Sequence, residues 1–309
     1  MKKKIVVVGS SNVDLLMKMD HLPEKGETVT DAVFSQVYGG KGANQAVAAA
    51  RAGGKVSFVN CVGEDAYTPQ MVRNYLDDGI DTTWVFEERG VASGHALIMI
   101  GDAGNNYLAV APGANYRLTP EKIRDAQPVF EDAGMVVMQY EIPQETILTV
   151  MDIATEMGIP VLWNVAPARE FDRSYVSKVK WLVLNEVEAG FLSGMAVEDL
   201  SGAESAASKL IAEGVEWVLI TLGERGTLAM AEGERIFQPA HKVDAIDTTA
   251  AGDTFCGAFA VALMEGGSMS EAVAFANAAA AISVTRMGAQ PSTPRREEID
   301  EFLSHSRPE

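Results

Sequence analysis

The segment Asp247-Thr248-Thr249-Ala250-Ala251-Gly252-Asp253 precedes an apolar helical run from Thr254 to Met264. Small residues there let backbone come close to a ligand. A helix beginning near Ala251 turns the N–H groups of Ala250 to Asp253 into an anion hole, reinforced by the positive end of the helix dipole. A transferring phosphoryl group suits such a hole, and Asp253, in the first turn, is placed to take a proton from an attacking hydroxyl. An ordinary carboxyl pKa of about 3.9 lies far below that of an alcohol, so proton transfer belongs late, as a loose transition state collapses. Taken alone, Asp253 reads equally as a complement to the helix dipole, worth about 0.3–1 kcal/mol. Asp247 alone reads as a turn residue bonding to its own backbone. The run of small residues is what favours the chemical reading.

A second cluster, Tyr38-Gly39-Gly40-Lys41-Gly42-Ala43-Asn44-Gln45, follows a strand-like segment and opens an Ala-rich helix. A phosphate-binding P-loop needs Ser or Thr after the lysine, where Gly42 stands, and the dinucleotide fingerprint needs a small residue where Gln45 stands. Two readings remain: a turn whose Lys41 and Asn44 hydrogen-bond a polyol, and an ordinary helix start with a solvated lysine. Asn12 and Asp14, after the opening strand, put an amide and a carboxylate at a strand end, suited to paired sugar hydroxyls, though turn propensity explains them equally well. The four histidines, His21, His95, His241 and His305, lack metal-ligand spacing, and no Gly-x-Ser-x-Gly elbow is near them. Hydrolase and metalloenzyme readings are therefore weak.

These residues need a frame. Near-continuous apolar runs at Lys4–Gly9, Val56–Cys61, Met135–Gln139, Pro160–Asn164, Trp181–Leu184 and Trp217–Thr221 read as strands covered on both faces. Helix-like segments at Gly42–Ala52, Thr68–Asp77, Pro143–Met157, Glu186–Leu192 and Ala203–Glu213 separate them, with Gly158 and Gly214 as C-terminal stops. The alternation predicts an α/β fold with a doubly wound, mainly parallel sheet flanked by helices, all in one domain spanning 1–309. Two regions, approximately 12–39 and 93–111, break the rhythm. Alternation of His95, Leu97 and Met99, then Tyr107, Ala109 and Ala111, around a turn at Gly101–Asn105 predicts a small antiparallel lid over the cleft. Beyond Gly266 the chain reads as helical, with a loop at Met287–Pro294.

Hydrophobic residues make up 47% of the 309 residues and charged ones 22%, enough to build a large core and to argue against disorder. The net charge of −18 opposes nucleic acid and anionic membranes as partners, so an anionic ligand must be held by local backbone devices. Cys61 and Cys256, with no CxxC spacing, fit a reducing cytoplasm better than a disulfide framework or zinc. The basic start, Met1–Lys4, resembles a signal peptide, but its apolar run ends at Gly9, so it reads as a buried strand. The Ala272–Val284 stretch is too short to span a bilayer and carries Asn277.

Together, Gly39 to Ala46 and Asp247 to Asp253 resemble the two signatures of the ribokinase family of carbohydrate kinases. Gly26-Glu27-Thr28, the Asn-x-x-Glu at Asn185–Glu188, and Val284–Ser292 extend the resemblance over nearly the whole chain. The resemblance implies a β-lid that also forms a homodimer interface. It implies a kinase that uses ATP and Mg²⁺ to phosphorylate the primary hydroxyl of a furanose, with D-ribose at O5 first. By the same resemblance Asp253 is the base, Ala250, Ala251 and Gly252 form the anion hole, and Asn12, Asp14, Gly40, Lys41, Asn44 and Glu141 contact sugar. Nucleotide falls near Asn185, Glu188, Thr221, Gly223, Gly226, Gly252 and Asn277. An activating K⁺ falls on Asp247, Thr249, Ser283, Arg286, Gly288 and Ser292, several through backbone oxygens. Departures are Asn277, where a histidine often flanks adenine, Asn164-Val165-Ala166-Pro167 in place of Asn-Pro-Ala-Pro, and His95 in the lid, where a small apolar residue is usual. Alternatives are deoxyribose, a ketohexose or a nucleoside as acceptor, and a non-catalytic sensor or a dinucleotide-dependent oxidoreductase; an intact Asp253 and the mismatch at Gln45 speak against the last two.

Overall fold

The computed structural model describes residues 4–101 and 105–305. The tip of the lid turn expected at Gly101–Asn105 and the start of the chain before Lys4 lie outside the described residues. Strands β1 (Lys4–Val8), β2 (Asn12–Met19), β3 (Val33–Gly39), β4 (Val56–Gly63) and β5 (Val85–Glu88) come first. They are followed by β6 (Gly94–Gly101), β7 (Asn106–Ala111), β8 (Ala133–Met138), β9 (Val161–Asn164) and β10 (Trp181–Asn185). β11 (Trp217–Thr221), β12 (Gly226–Ala231) and β13 (Glu234–Pro239) complete the set.

The main sheet runs β13-β12-β11-β10-β9-β8-β1-β4-β5. Every pairing from β11 through β5 is parallel, and only the β12–β13 hairpin adds antiparallel strands at one edge. β1, β4, β8 and β9 carry apolar runs because helices cover both faces: two buried clusters, one around Val6, Val136 and Trp163, the other around Ile5, Val137 and Phe259, lie on opposite sides of the same strands. The helices that concern the site are α1 (Lys41–Arg51), α2 (Thr68–Asp77), α3 (Pro120–Asp125), α4 (Gln144–Glu156), α5 (Glu186–Ser193), α6 (Leu200–Ala212), α7 (Ala251–Met264) and α8 (Met269–Ser283). Gly158 and Gly214 follow α4 and α6 with φ of 65° and 112°, the left-handed stops expected of them.

The lid is a second sheet in the order β3-β2-β6-β7. Its outer pairs are antiparallel, and the central pair β2–β6 is parallel, because β2 continues straight out of β1 whereas β6 returns from the far edge of the main sheet. Register settles where His95 points. It lies opposite Val13, whereas Asn12 and Asp14 lie opposite Gly94 and Ala96, so the imidazole takes the face away from Asp14. There it meets Tyr67 edge-on, with ring centroids 5.6 Å apart.

Candidate active site

The candidate residues gather where parallel strands end at their carboxyl termini. Asn12 and Asp14 follow β1, Gln139 and Glu141 follow β8, and Asn164, Asn185 and Thr221 close β9, β10 and β11. Ligands of open α/β sheets bind at such ends. Gly42 lets α1 begin against this edge, since a Cβ there would lie 2.4 Å from the Ser10 nitrogen. Ser10 and Glu141 then cap the helix from outside it. Glu141 Oε2 accepts from Lys41 N at 2.9 Å and from Ser10 Oγ at 2.6 Å, and Ser10 Oγ accepts from Gly42 N at 3.2 Å.

Helix α7 starts at Ala251, as the sequence predicts, and packs across α1 and α8. The crossing with α1 is tight at Gly257, where a Cβ would lie 2.5 Å from Ala48 Cβ. That approach brings Asn44 and Gln45 onto Asp253, one turn earlier. Asn44 Nδ2 donates to Asp253 Oδ2 at 3.0 Å, and Gln45 Nε2 donates to Oδ1 at 2.9 Å. Ala250, the N-cap, has φ 60° and ψ 14°, a left-handed conformation that no other non-glycine among the described residues adopts. Such strain is tolerated where the surroundings enforce it. It leaves the N–H groups of Ala250, Gly252 and Asp253 with no acceptor among the described residues, under open space above Gly252 where a Cβ would meet nothing within 4 Å. The N–H of Ala251 departs from the expected hole: it donates to Thr248 O at 3.2 Å.

Four charged groups share this pocket. Burial raises the Asp253 carboxyl above the usual range, against the pull of Lys41, Asn44 and Gln45. Burial, with the like charges of Glu141 and Asp253, pushes Asp14 up to about 7. Burial pulls the Lys41 ammonium down, but Asp253, Glu141 and Glu188 outweigh it and its proton is held more tightly than usual. The arrangement is three carboxylates against one lysine. Asn12 Oδ1 accepts from Asn115 Nδ2 at 2.8 Å, which turns its own amide N–H₂ outward as a donor. The Asn115 Oδ1 accepts from Ser11 N at 2.8 Å. Asn44 Oδ1, buried, has no hydrogen-bond partner, an unmet acceptor beside the carboxylates.

The expected nucleotide residues are further along the same edge and partly committed to structure. Asn185 and Glu188 form a capping box at α5: Asn185 Oδ1 accepts from Glu188 N at 2.8 Å, and Glu188 Oε2 from Asn185 N at 2.9 Å. Burial raises the Glu188 carboxyl. Thr221 Oγ1 donates to Leu184 O at 3.3 Å, and Gly223 turns at an exposed position with φ 55°. Gly226 lies where a Cβ would be 2.1 Å from Gln238 O. Asn277 accepts from Thr227 Oγ1 at 2.7 Å and donates to Gln238 O at 3.3 Å, pinning the edge hairpin to α8.

Of the expected cation residues, Thr249 and Gly288 contact Asp247. Its Oδ2 accepts from Gly288 N at 2.8 Å, and its Oδ1 from Thr249 N and Oγ1 at 2.9 and 2.6 Å. The N–H groups of Ile246 and Asp247 donate to Val284 O. Arg286 pairs with Glu298, and Ser283 and Ser292 donate their hydroxyls to Ala280 O and Ala289 O. The side chains of Asp247, Thr249, Ser283 and Ser292 offer oxygen only, the donor chemistry a hard cation takes. Among the described residues no three His, Cys, Asp or Glu side chains gather to hold a metal.

Sequence reasoning missed Ser10, Asn115 and Gln139, and it read Gln45 only as a mismatch. An asparagine in a short turn after β7 carries no signal of its own; Gln139, a polar residue ending an apolar run, was the one visible hint.

Buried carboxylates beside the N-terminus of α7, at the carboxyl ends of an open parallel sheet, fit the class that the comparisons with known proteins show, an α/β phosphotransferase with an alcohol group as acceptor. The chain matches the model of the pfkB family carbohydrate kinases over residues 2–296, and it belongs to that family. It is 40% identical to a ribokinase of Haemophilus influenzae, over 99% of this chain and all of that one. It is 38% identical to a deoxyribokinase of Salmonella typhi, covering 97% and 98%. The structure of an Arabidopsis thaliana ribokinase complexed with ribose and ATP superposes with a TM-score of 0.92, at 34% identity, over 98% and 99% of the two chains.

Proposed function

We propose that the protein transfers the γ-phosphate of ATP to the primary hydroxyl of a furanose, D-ribose at O5 first. The observation that carries this is Asp253, held by two amide donors beside a helix N-terminus where the N–H groups of Ala250, Gly252 and Asp253 have no acceptor among the described residues. In this reading Asn12, Asp14, Gly40, Lys41, Asn44 and Glu141 hold the sugar. Asp14 and the free oxygen of Glu141 accept from hydroxyls, and Asn12 donates to one. Asp253 accepts the proton of the attacking hydroxyl, and the N–H groups of Ala250, Gly252 and Asp253 hold the phosphoryl oxygens. Lys41 offsets the acidic site. ATP lies along Asn185, Glu188, Thr221, Gly223, Gly226 and Asn277, where Mg²⁺ supplies charge neutralisation for the phosphates. Asp247, Thr249, Ser283, Arg286, Gly288 and Ser292 would hold K⁺, several through backbone oxygens, and the ion would supply positive charge beside the N-terminus of α7.

2-Deoxyribose is the second reading, because the deoxyribokinase relative is nearly as similar as the ribokinase one. The deciding experiment is a panel of ribose, 2-deoxyribose, ketohexoses and nucleosides with Mg-ATP, following ADP release. Turnover on none of them defeats the kinase reading; a kcat/KM preference for deoxyribose defeats the ribose one.

The lid supports a homodimer. Phe34, Leu97, Tyr107, Leu108 and Val110 leave both of its faces apolar and exposed, with Leu108 62% exposed. A monomer by light scattering at micromolar concentration would refute this. Two buried free thiols, Cys61 and Cys256, support a reducing cytoplasm, and no helix among the described residues is long and apolar enough to cross a membrane.

A further inference from the structure

Behind Asp253 lies a chain of buried amides whose polarity is dictated by the main sheet. Val183 in β10 presents a backbone carbonyl, which accepts only. Asn164 Nδ2 donates to it at 3.0 Å, so Asn164 Oδ1 must face the other way, toward Gln45. Gln45 Nε2 therefore has two acceptors before it, Asn164 Oδ1 at 3.1 Å and Asp253 Oδ1 at 2.9 Å. A rotated amide would set the Gln45 oxygen against both. Its Oε1 is taken by Gln139 Nε2 at 2.7 Å. Gln45 is fully buried, Gln139 1% exposed and Asn164 7%, so no water substitutes for a lost partner without opening the core.

We propose that Gln45 is a positioning residue for the base, locked by Asn164 and Gln139 as a donor so that Asp253 stays ionised and keeps its aim. The proposal rests on Asp253 being the base. A donor on each carboxylate oxygen, Asn44 on one and Gln45 on the other, favours the charged form and fixes the plane of the carboxylate. The groups that also bear on Asp253 are Lys41 at the start of α1, Asp14 on β2, Glu141 after β8, Glu188 on α5 and Cys256 on α7. Of these only Lys41 favours its charge.

The test is the single-turnover phosphorylation rate of Gln45→Met against pH, with the saturating sugar concentration set for each variant. A buried bond to a charged group implies that the acid limb moves up by about one pH unit, costing roughly tenfold in rate on the acid side of the limb and recovering on the alkaline side. Sugar KM should stay within about threefold, since Gln45 need not touch sugar. Gln139→Met, which frees the Gln45 amide to turn, should shift the limb the same way by less, and it carries the test if Gln45→Met fails to fold. A rate lowered equally at every pH, or unchanged, overturns the proposal. Asp253→Asn measured alongside separates the two ideas: near-normal turnover there removes the base itself, whereas an inactive Asp253→Asn with a pH-flat Gln45→Met removes only the role of Gln45.

Discussion

Asn44 and Asp253, 209 residues apart in the chain, are joined by a 3.0 Å hydrogen bond from Nδ2 to Oδ2. With the Gln45 bond to the other carboxylate oxygen, it ties the start of helix α1 to the first turn of helix α7. An Asp253→Asn variant keeps the shape and removes the basic lone pairs. We expect kcat to fall about 10²-fold or more while sugar binding, measured by calorimetry, largely survives. A near-normal rate would mean another group takes the proton.

Asp14 makes stability and binding depend on pH in opposite senses. Its folded carboxyl titrates at about 7 against an unfolded value near 3.8. The folded state thus holds more protons between those values, and stability falls as pH rises from about 4 to 7. Asp14→Asn should leave Tm unchanged near pH 4 and raise it by about 2 °C or more at pH 8. Sugar affinity of the unaltered protein should rise through pH 7, as the ionised carboxylate becomes the better acceptor, and fall about tenfold or more in Asp14→Asn. Equal Tm values at pH 8 would contradict the shift.

Asn12 and Asn115 should act as a pair. Asn12→Ala removes a donor to sugar, and roughly a fivefold or greater increase in sugar KM is expected with kcat less affected. Asn115→Ala should raise KM by less, because it only frees the Asn12 amide to rotate. An Asn115→Ala effect larger than that of Asn12→Ala would instead point to collapse of the turn at Gly113–Arg117.

Activity in K⁺ should exceed that in a bulky organic cation, and Asp247→Ala should abolish the difference or move half-activation at least about tenfold higher. Sugar KM is expected to hold, since Asp247 stands apart from the sugar residues. Equal rates in both salts would exclude the cation.

Much of the frame was legible because buried parallel strands leave a local mark. Trp217–Thr221 and Thr68–Asp77 are found at the expected bounds, and the other named strands and helices lie within a few residues of theirs. The edge strand β13 was not legible, because Glu234 and Arg235 open it exposed and no apolar run announces it, although its partner β12 carries the buried Leu228 and Ala229. Within the site, Asp253 and the glycine turns were visible through local composition. The amide chain was not, because Gln45 lies 94 residues from Gln139 and 119 from Asn164, and nothing in either neighbourhood encodes their meeting.

Gly257 contributes no atom to the chemistry, yet its missing methyl sets how far α7 stands from α1. A single carbon added there acts as a shim between two rods, tilting the carboxylate at one end of α7 away from Asn44 and Gln45. On the role proposed for Asp253, catalytic competence has a mechanical tolerance narrower than a methyl group, set where two helices cross.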